Sequence, residues 1–288
     1  MTTRPTRRAV AGPPAADLWE RGDGFPMTAS ERTTPVHGTP CWVSLMTRDL
    51  RAARDFYGAV LGWTFRSGSL GEGFSVAHLG ALPVAGLGQI APGLPTTVSW
   101  TPYFAVADVD TAAARVRERG GTIAVGPIRL GPGRGAVAAD REGAGFGFWQ
   151  GRTPPWSLGR DDAPASLELR TSHAFDSAIF YAEVFGWASR EPGGCDVGYA
   201  SLQDAVVVRQ GGRTVATLRG GGDASSADPR LRPRWHVRFR VADAEAAGEA
   251  ARAAGGSAGP SVGSPADGTE AVIRDPEGGI FTVCAHPG

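Results

Sequence analysis

Two octapeptides decide the architecture: FYGAVLGW at Phe56–Trp63 and FYAEVFGW at Phe180–Trp187, 124 residues apart. A short alternating stretch precedes each, CWVSLMT at Cys41–Thr47 and ASLELRT at Ala165–Thr171, and period-two alternation predicts a half-buried strand. Apolar residues then recur three and four apart over Arg51–Leu61 and Ala174–Phe185, as on an amphipathic helix, with Gly62 and Gly186 placed as C-caps. Each octapeptide therefore spans the end of a helix and the start of the next strand. Its aromatics, Phe56, Tyr57 and Trp63 or Phe180, Tyr181 and Trp187, are expected to pack the helix on its sheet.

The duplication extends further. YFAVADVDTAAARVRERGG at Tyr103–Gly121 matches VRFRVADAEAAGEAARAAGG at Val237–Gly256, each a strand, a turn aspartate (Asp108 or Asp243), an Ala-rich helix and a Gly-Gly stop. VAADREGAGFGFWQ at Val137–Gln150 matches VIRDPEGGIFTVCA at Val272–Ala285, hairpins turning at Glu142-Gly143 and Glu277-Gly278. The offset grows from 124 to 135, so 11 extra residues lie between Arg190 and Trp235, and the Gly, Ser and Pro run RGGGDASSADPRLRPR is the expected place. Strand, helix, glycine and several short strands thus recur four times.

At 288 residues the chain can bury two ordinary cores without staples. Twenty-nine basic and 29 acidic residues cancel, leaving no footprint for nucleic acid or a membrane surface, so the expected partner is a small molecule. Cys41, Cys195 and Cys284 are scattered and odd in number, which implies neither a disulfide framework nor a zinc knuckle and fits a reducing cytoplasm. No run approaches the roughly 18 apolar residues of a membrane span. Residues 1–36 lack apolar periodicity and are rich in Pro, Thr, Arg and Gly, which predicts a disordered tail, with Met27 a second possible start.

The patterns LMTRDLRAARDFYGAVLGW, FAVADVDTAAARVRERGG and DREGAGFGFW resemble the vicinal oxygen chelate superfamily of glyoxalase, bleomycin-resistance and extradiol-dioxygenase proteins, in its two-domain actinobacterial form. The resemblance implies an α+β fold of two tandem domains, each of two paired βαβββ units curving a sheet around a cleft. The expected boundaries are a tail at 1–36, domain 1 at 37–151, a Pro-rich linker at 152–164 and domain 2 at 165–288. It also implies that a family metal would be held on the first and last strands of the units. The corresponding residues here are Trp42, Ser166, Thr101 and His236, with Gly147 and Thr282 on the last strands. Only His236 is an ordinary metal ligand, whereas divalent sites need two or three, so no metal and no other cofactor is expected.

Side chains on a strand switch faces at every residue. On that count the first cleft presents Trp42, Ser44, Met46, Thr101, Tyr103, Ala105, Gly147 and Trp149, an aromatic, weakly polar wall suited to a flat ligand. The second presents Ser166, Glu168, Arg170, His236, Arg238, Arg240, Thr282 and Cys284. Two readings of this charged group stand. Glu168 and Arg238 form a structural ion pair, or Glu168 or His236 acts as general base with Arg238 stabilising an oxyanion. Trp42, Ser44, Thr101, Tyr103, Trp149, Ser166, Thr282 and Cys284 are the candidate ligand contacts. His78 and His173 read as structural or exposed, GPGRG at Gly131–Gly135 as a turn, and no GxSxG or HExxH is present.

The expected function is metal-independent isomerase, cyclase or lyase chemistry on an aromatic or polyketide-like metabolite. Two alternatives stay open: sequestration without turnover, as in antibiotic resistance, and a metal-dependent glyoxalase or dioxygenase using His236 with His78 or Glu168. A monomer or homodimer is expected.

Overall fold

A computed structural model describes residues 37–68, 71–91, 93, 97–131, 133–152, 165–189, 194–201, 204–223, 225–226, 231–264 and 268–285. The expected tail and all but Arg152 of the expected linker lie outside the described residues.

The first unit runs β1 (Pro40–Thr47), α1 (Leu50–Leu61), β2 (Thr64–Ser67), β3 (Phe74–Leu79) and β4 (Leu82–Gln89). The second runs β5 (Trp100–Ala105), α2 (Val109–Glu118), β6 (Thr122–Leu130), β7 (Gly133–Ala139) and β8 (Gly145–Gln150). Their strands form one sheet in the order β2-β3-β4-β1-β5-β8-β7-β6, with β1 and β5 antiparallel at its centre. The second half repeats the plan. It comprises β9 (Ala165–Arg170), α3 (Ala174–Phe185), β10 (Cys195–Ala200), β11 (Ala205–Gln210), β12 (Arg213–Arg219), β13 (Arg234–Arg240), α4 (Ala244–Ala253), β14 (Ser257–Ala258), β15 (Val262–Ser264), β16 (Gly268–Arg274) and β17 (Ile280–Ala285). Its sheet runs β10-β11-β12-β9-β13-β17-β16-β14, and β15 pairs with β16. Two tandem α+β domains are therefore present, as the repeats imply.

Local chemistry sets the helix limits. Asp49, Asp108 and Asp243 accept first-turn amides from Ala52, Thr111, and Glu245 with Ala246, satisfying N–H groups that have no intrahelical partner. His173 holds the same position on α3 without a side-chain cap bond. Gly62 and Gly186 close α1 and α3 at φ 67° and 68°, a left-handed conformation that a Cβ would oppose.

Two expectations change in detail. The strand after the second octapeptide starts only at Cys195, whereas β2 follows Trp63 at once. Ser44 stands opposite Gly86, and Glu168 opposite Thr217, so the offset is already 131 at β4 and β12. Most of the insertion therefore precedes β10, and only about four residues enter the glycine-rich connection from β12 to β13.

The larger correction concerns the octapeptide aromatics. They do not merely seat each helix on its own sheet, because both sheets turn their helical sides toward one shared core, with α1 against α4 and α2 against α3. Trp63 meets Phe239 edge to face at 4.9 Å, and Phe104 stacks on Phe185 at 4.6 Å. Such ring pairs add about 0.5–1.5 kcal/mol each beyond the area they bury. The Tyr57 hydroxyl donates to Asp275 at 2.8 Å and accepts from the Trp100 indole at 3.2 Å. Tyr181, Asp140 and Trp235 repeat this triad at 2.9 and 2.9 Å.

The turn after each of these aspartates reaches across as well. Glu142 accepts the Thr171 hydroxyl at 2.6 Å and the Ser172 amide at 2.8 Å, while Glu277 accepts the Thr47 hydroxyl and the Arg48 amide. The hairpin of each domain thus satisfies the strand-to-helix turn of the other. With the convex faces used up in this way, the concave faces are left to solvent and ligand.

Candidate functional site

On β9 the alternation holds: Leu167 and Leu169 are buried in the shared core, while Ser166, Glu168 and Arg170 face the hollow of the second sheet. On β13, Trp235, Val237 and Phe239 enter the core and Arg234, His236 and Arg238 take the other side. Register brings these together, with His236 opposite Glu168, Arg238 opposite Ser166, and Arg238 beside Thr282 of β17. Glu168, His236, Arg238 and Thr282 line a cavity of about 710 Å3, whose far wall sets Glu270 and Arg274 beside Val262, Val272 and Ile280.

The polar groups interlock. Glu168 Oε2 lies 3.1 Å from Arg219 Nε and 3.5 Å from Arg238 Nη1. Arg238 also bonds Glu270, and Cys284 Sγ stands 4.0 Å from the same Glu270 carboxylate. The expected Glu168–Arg238 ion pair is thus present within a larger network. Burial pushes the Cys284 thiol above its ordinary range.

His236 accepts a bond on Nε2 from Arg234 Nε at 3.1 Å, which leaves its proton on Nδ1. Burial, reinforced by the charges of Arg234, Arg170 and Arg238, lowers its pKa to about 3, so it is a neutral imidazole at physiological pH. That removes it as a base of useful strength and leaves it a hydrogen-bond donor. The sequence placed His236 in the cleft but missed Arg219, Arg234 and Glu270. Arg234 was legible from the β13 alternation, whereas Arg219 and Glu270 come from strands whose register the repeats did not fix.

In the first sheet, Trp42, Thr101, Tyr103 and Trp149 are half-buried and Ser44 is buried. Glycines let the rings lie flat on the strands. A Cβ at Gly147 would sit 2.3 Å from the Tyr103 ring, and one at Gly133 would sit 2.3 Å from Trp149. Trp42 and the ring of Phe74 lie over Gly86 in the same way. His78 is buried in β3 of this sheet with Nδ1 3.1 Å from the Val76 carbonyl, on a different sheet from His236. His173, the other minor candidate, is an exposed side chain 3.5 Å from Glu142.

The glyoxalase/bleomycin resistance protein/dioxygenase superfamily model matches residues 40–148, and a glyoxalase-like domain model matches residues 166–284. A protein of Mycobacterium tuberculosis named "Putative glyoxylase CFP32" is 32% identical over 262 residues, covering 88% of this chain and 97% of that protein. The chain belongs to the vicinal oxygen chelate superfamily. A second relative within it, the anthracycline biosynthesis protein DnrV of Streptomyces peucetius, is 35% identical over 144 residues, 49% of this chain and 51% of that protein. Among solved structures, the Mn(II)-bound glyoxalase of Novosphingobium aromaticivorans superposes with TM-score 0.55 at 16% identity, covering 88% of this chain and 83% of that one. An extradiol ring-cleaving dioxygenase of B. fuscum gives 0.53 at 17%, covering 89% and 75%. These two likenesses show the fold.

The superfamily's metal finds a poor set of donors here. Among the described residues no three His, Cys, Asp or Glu side chains gather where they could hold an ion. In the second cleft one oxygen of Glu168 and one of Glu270 are held by guanidiniums, and His236 Nε2 by Arg234. In the first, the matching positions are Trp42, Thr101 and Gly147, of which only the Thr101 hydroxyl offers a side-chain oxygen. No helix among the described residues is long and apolar enough to cross a membrane.

Proposed function

We propose that the chain is a metal-independent enzyme that moves a proton on an aromatic or polyketide-like metabolite in its second cleft. Its chemistry is of the isomerase, cyclase or lyase type. The observation that carries this is the opposition of Glu168 and His236 across β9 and β13. Both arginine contacts of Glu168 fall on Oε2, which leaves Oε1 without a partner among the described residues. In the proposed roles, Oε1 removes a proton from carbon next to a carbonyl. His236, neutral and donating through Nδ1, polarises that carbonyl, and Arg238 stabilises the charge that develops. A neutral imidazole suits this role because it gives a hydrogen bond without surrendering the proton. Relatives named for glyoxylase and anthracycline biosynthesis support small-molecule chemistry of this kind.

The test is turnover of candidate aromatic polyketides by Glu168→Gln and His236→Gln. Glu168→Gln should lower kcat by about 10²–10⁴-fold, the range of a lost general base, with ligand affinity little changed. Unchanged kcat sinks the assignment. Dialysis against a chelator should leave the rate intact, and restoration of a lost rate by Mn(II) would favour a metal enzyme instead.

A second reading, sequestration without turnover, is favoured by the flat rings of Trp42, Tyr103 and Trp149 on their glycine floor. There, Trp42→Ala or Tyr103→Ala should weaken a planar ligand by about 1–3 kcal/mol, as for a lost aromatic anchor. No product should form.

A further inference from the structure

Outside both clefts, the two halves of the molecule treat one pair of donors differently. Trp63 and Trp187 end the two octapeptides, and each indole stacks on the tyrosine of its own copy, at 6.0 and 5.7 Å. Trp187 Nε1 donates to the Gly38 carbonyl at 2.7 Å, and the Ala107 amide donates to His37 Nδ1 at 3.1 Å. Residues 37 and 38, which lead into β1, thus supply both acceptors. In the other half the matching donors have no acceptor among the described residues. Trp63, only 7% exposed, makes ring contacts but no hydrogen bond through Nε1, and the amide of Ala242, the counterpart of Ala107, donates to nothing. Leaving a buried N–H unmet is costly, so such a group calls for a partner.

Trp63 and Ala242 both line a hollow of about 660 Å3 at the seam of the domains, which shares no lining residue with the second cleft. Its other walls include Leu79 and Leu82 of the β3–β4 hairpin and Ala246 and Ala250 of α4. The charged side chains on it are Arg240 and Asp243, one of each sign, and Asp243 already accepts two first-turn amides of α4. The hollow therefore selects for no net charge, and its volume is that of a small-molecule site.

We infer that this hollow is a further ligand site, which takes an uncharged, mainly apolar carbonyl compound. The carbonyl oxygen accepts from Trp63 Nε1, and the hydrocarbon body lies along Leu79, Leu82 and Ala246. The acceptor type follows from the other half, where the matching indole holds a carbonyl oxygen. The site stands apart from the chemistry proposed for the second cleft.

The probes are 1-tetralone and its hydrocarbon analogue tetralin, titrated into the full chain and followed by the assigned indole N–H signals in proton–nitrogen NMR. Tetralone should move the Trp63 signal downfield, and tetralin should bind without that shift. Trp63→Phe keeps an apolar ring and removes the donor, so the ratio of tetralone to tetralin affinity should fall by roughly three- to tenfold, the net contribution of one hydrogen bond. Ala246→Trp, which fills the hollow from an exposed position on α4, should weaken both probes. Thermal melting shows whether each variant is folded, and if Trp63→Phe is not, the downfield shift and Ala246→Trp decide. A Trp63 signal that tetralone leaves in place, an unchanged ratio in folded Trp63→Phe, no binding of either probe, or binding that Ala246→Trp does not weaken overturns the inference. So does a Trp63 indole proton that, in the protein alone, exchanges with solvent as slowly as that of Trp187, since the chain then supplies the acceptor itself.

Discussion

The hydroxyl of Tyr57 donates to the carboxylate of Asp275 at 2.8 Å across 218 residues of chain. Tyr181 and Asp140 make the same bond in the opposite sense. Each domain therefore contributes a tyrosine to the other's hairpin turn, and the two domains hold each other by a doubled, buried lock.

Tyr57→Phe leaves Asp275 short of a donor and the Trp100 indole N–H short of an acceptor in a dry core, so it should cost about 1–3 kcal/mol, as should Tyr181→Phe. Denaturant unfolding monitored by tryptophan fluorescence measures both. Because the core is shared, a single transition is expected for the parent and each variant. Two separated transitions in the parent would contradict the common core.

Burial raises the pKa of Asp140 and of Asp275, outweighing the bonds from Tyr181, Tyr57 and the turn amides that favour the charged form. A carboxyl whose folded pKa lies above its unfolded value binds more protons when folded. Its stabilising contribution is full below the unfolded pKa and is lost as pH rises through the folded one. Asp140→Asn with Asp275→Asn should therefore flatten the fall in stability between pH 4 and the neutral range, read from melting temperatures across that interval.

His236 acts in the opposite direction. Its folded pKa of about 3 lies below the ordinary 6.5, so the unfolded chain takes up a proton that the folded chain refuses as pH falls between those values. Stability should decline over that interval for this group. Arg234→Gln removes the positive charge that, next to burial, most lowers this pKa and should move the His236 titration upward in proton NMR. An unmoved titration would dissociate the imidazole from its arginine neighbours.

Gly147→Ala forces a methyl group against the Tyr103 ring, which lies 2.3 Å from the ideal Cβ position. The ring must lift off the sheet, at an expected cost of about 1–3 kcal/mol for overpacking. It would also lose its place in the first cleft. Thermal unfolding reads the cost, and weakened binding of a planar ligand to the first domain reads the displacement.

The repeats made the fold legible because two periods, 2.0 along strands and 3.6 along helices, are written directly in apolar spacing. The same alternation puts Glu168, His236 and Arg238 on one face, since a residue's face depends only on its parity within the strand. It could not supply Arg219 or Glu270, because their distance from His236 depends on how β12 and β16 slide against their neighbours. Nor could it show that Glu168 shares two arginines or that burial, with three nearby guanidiniums, keeps the imidazole neutral.

What the sequence by itself determined is which side chains leave the core, an outcome of local geometry repeated residue by residue. Only the tertiary structure decided what those side chains meet. Strand register and the packing of one domain's helices against the other's are set by contacts between separate segments of the chain, such as His236 of β13 with Glu168 of β9, which no local pattern encodes. The paired tyrosines belong to that second kind: their spacing announced a helix end, and only the assembled core gave their hydroxyls to the opposite domain.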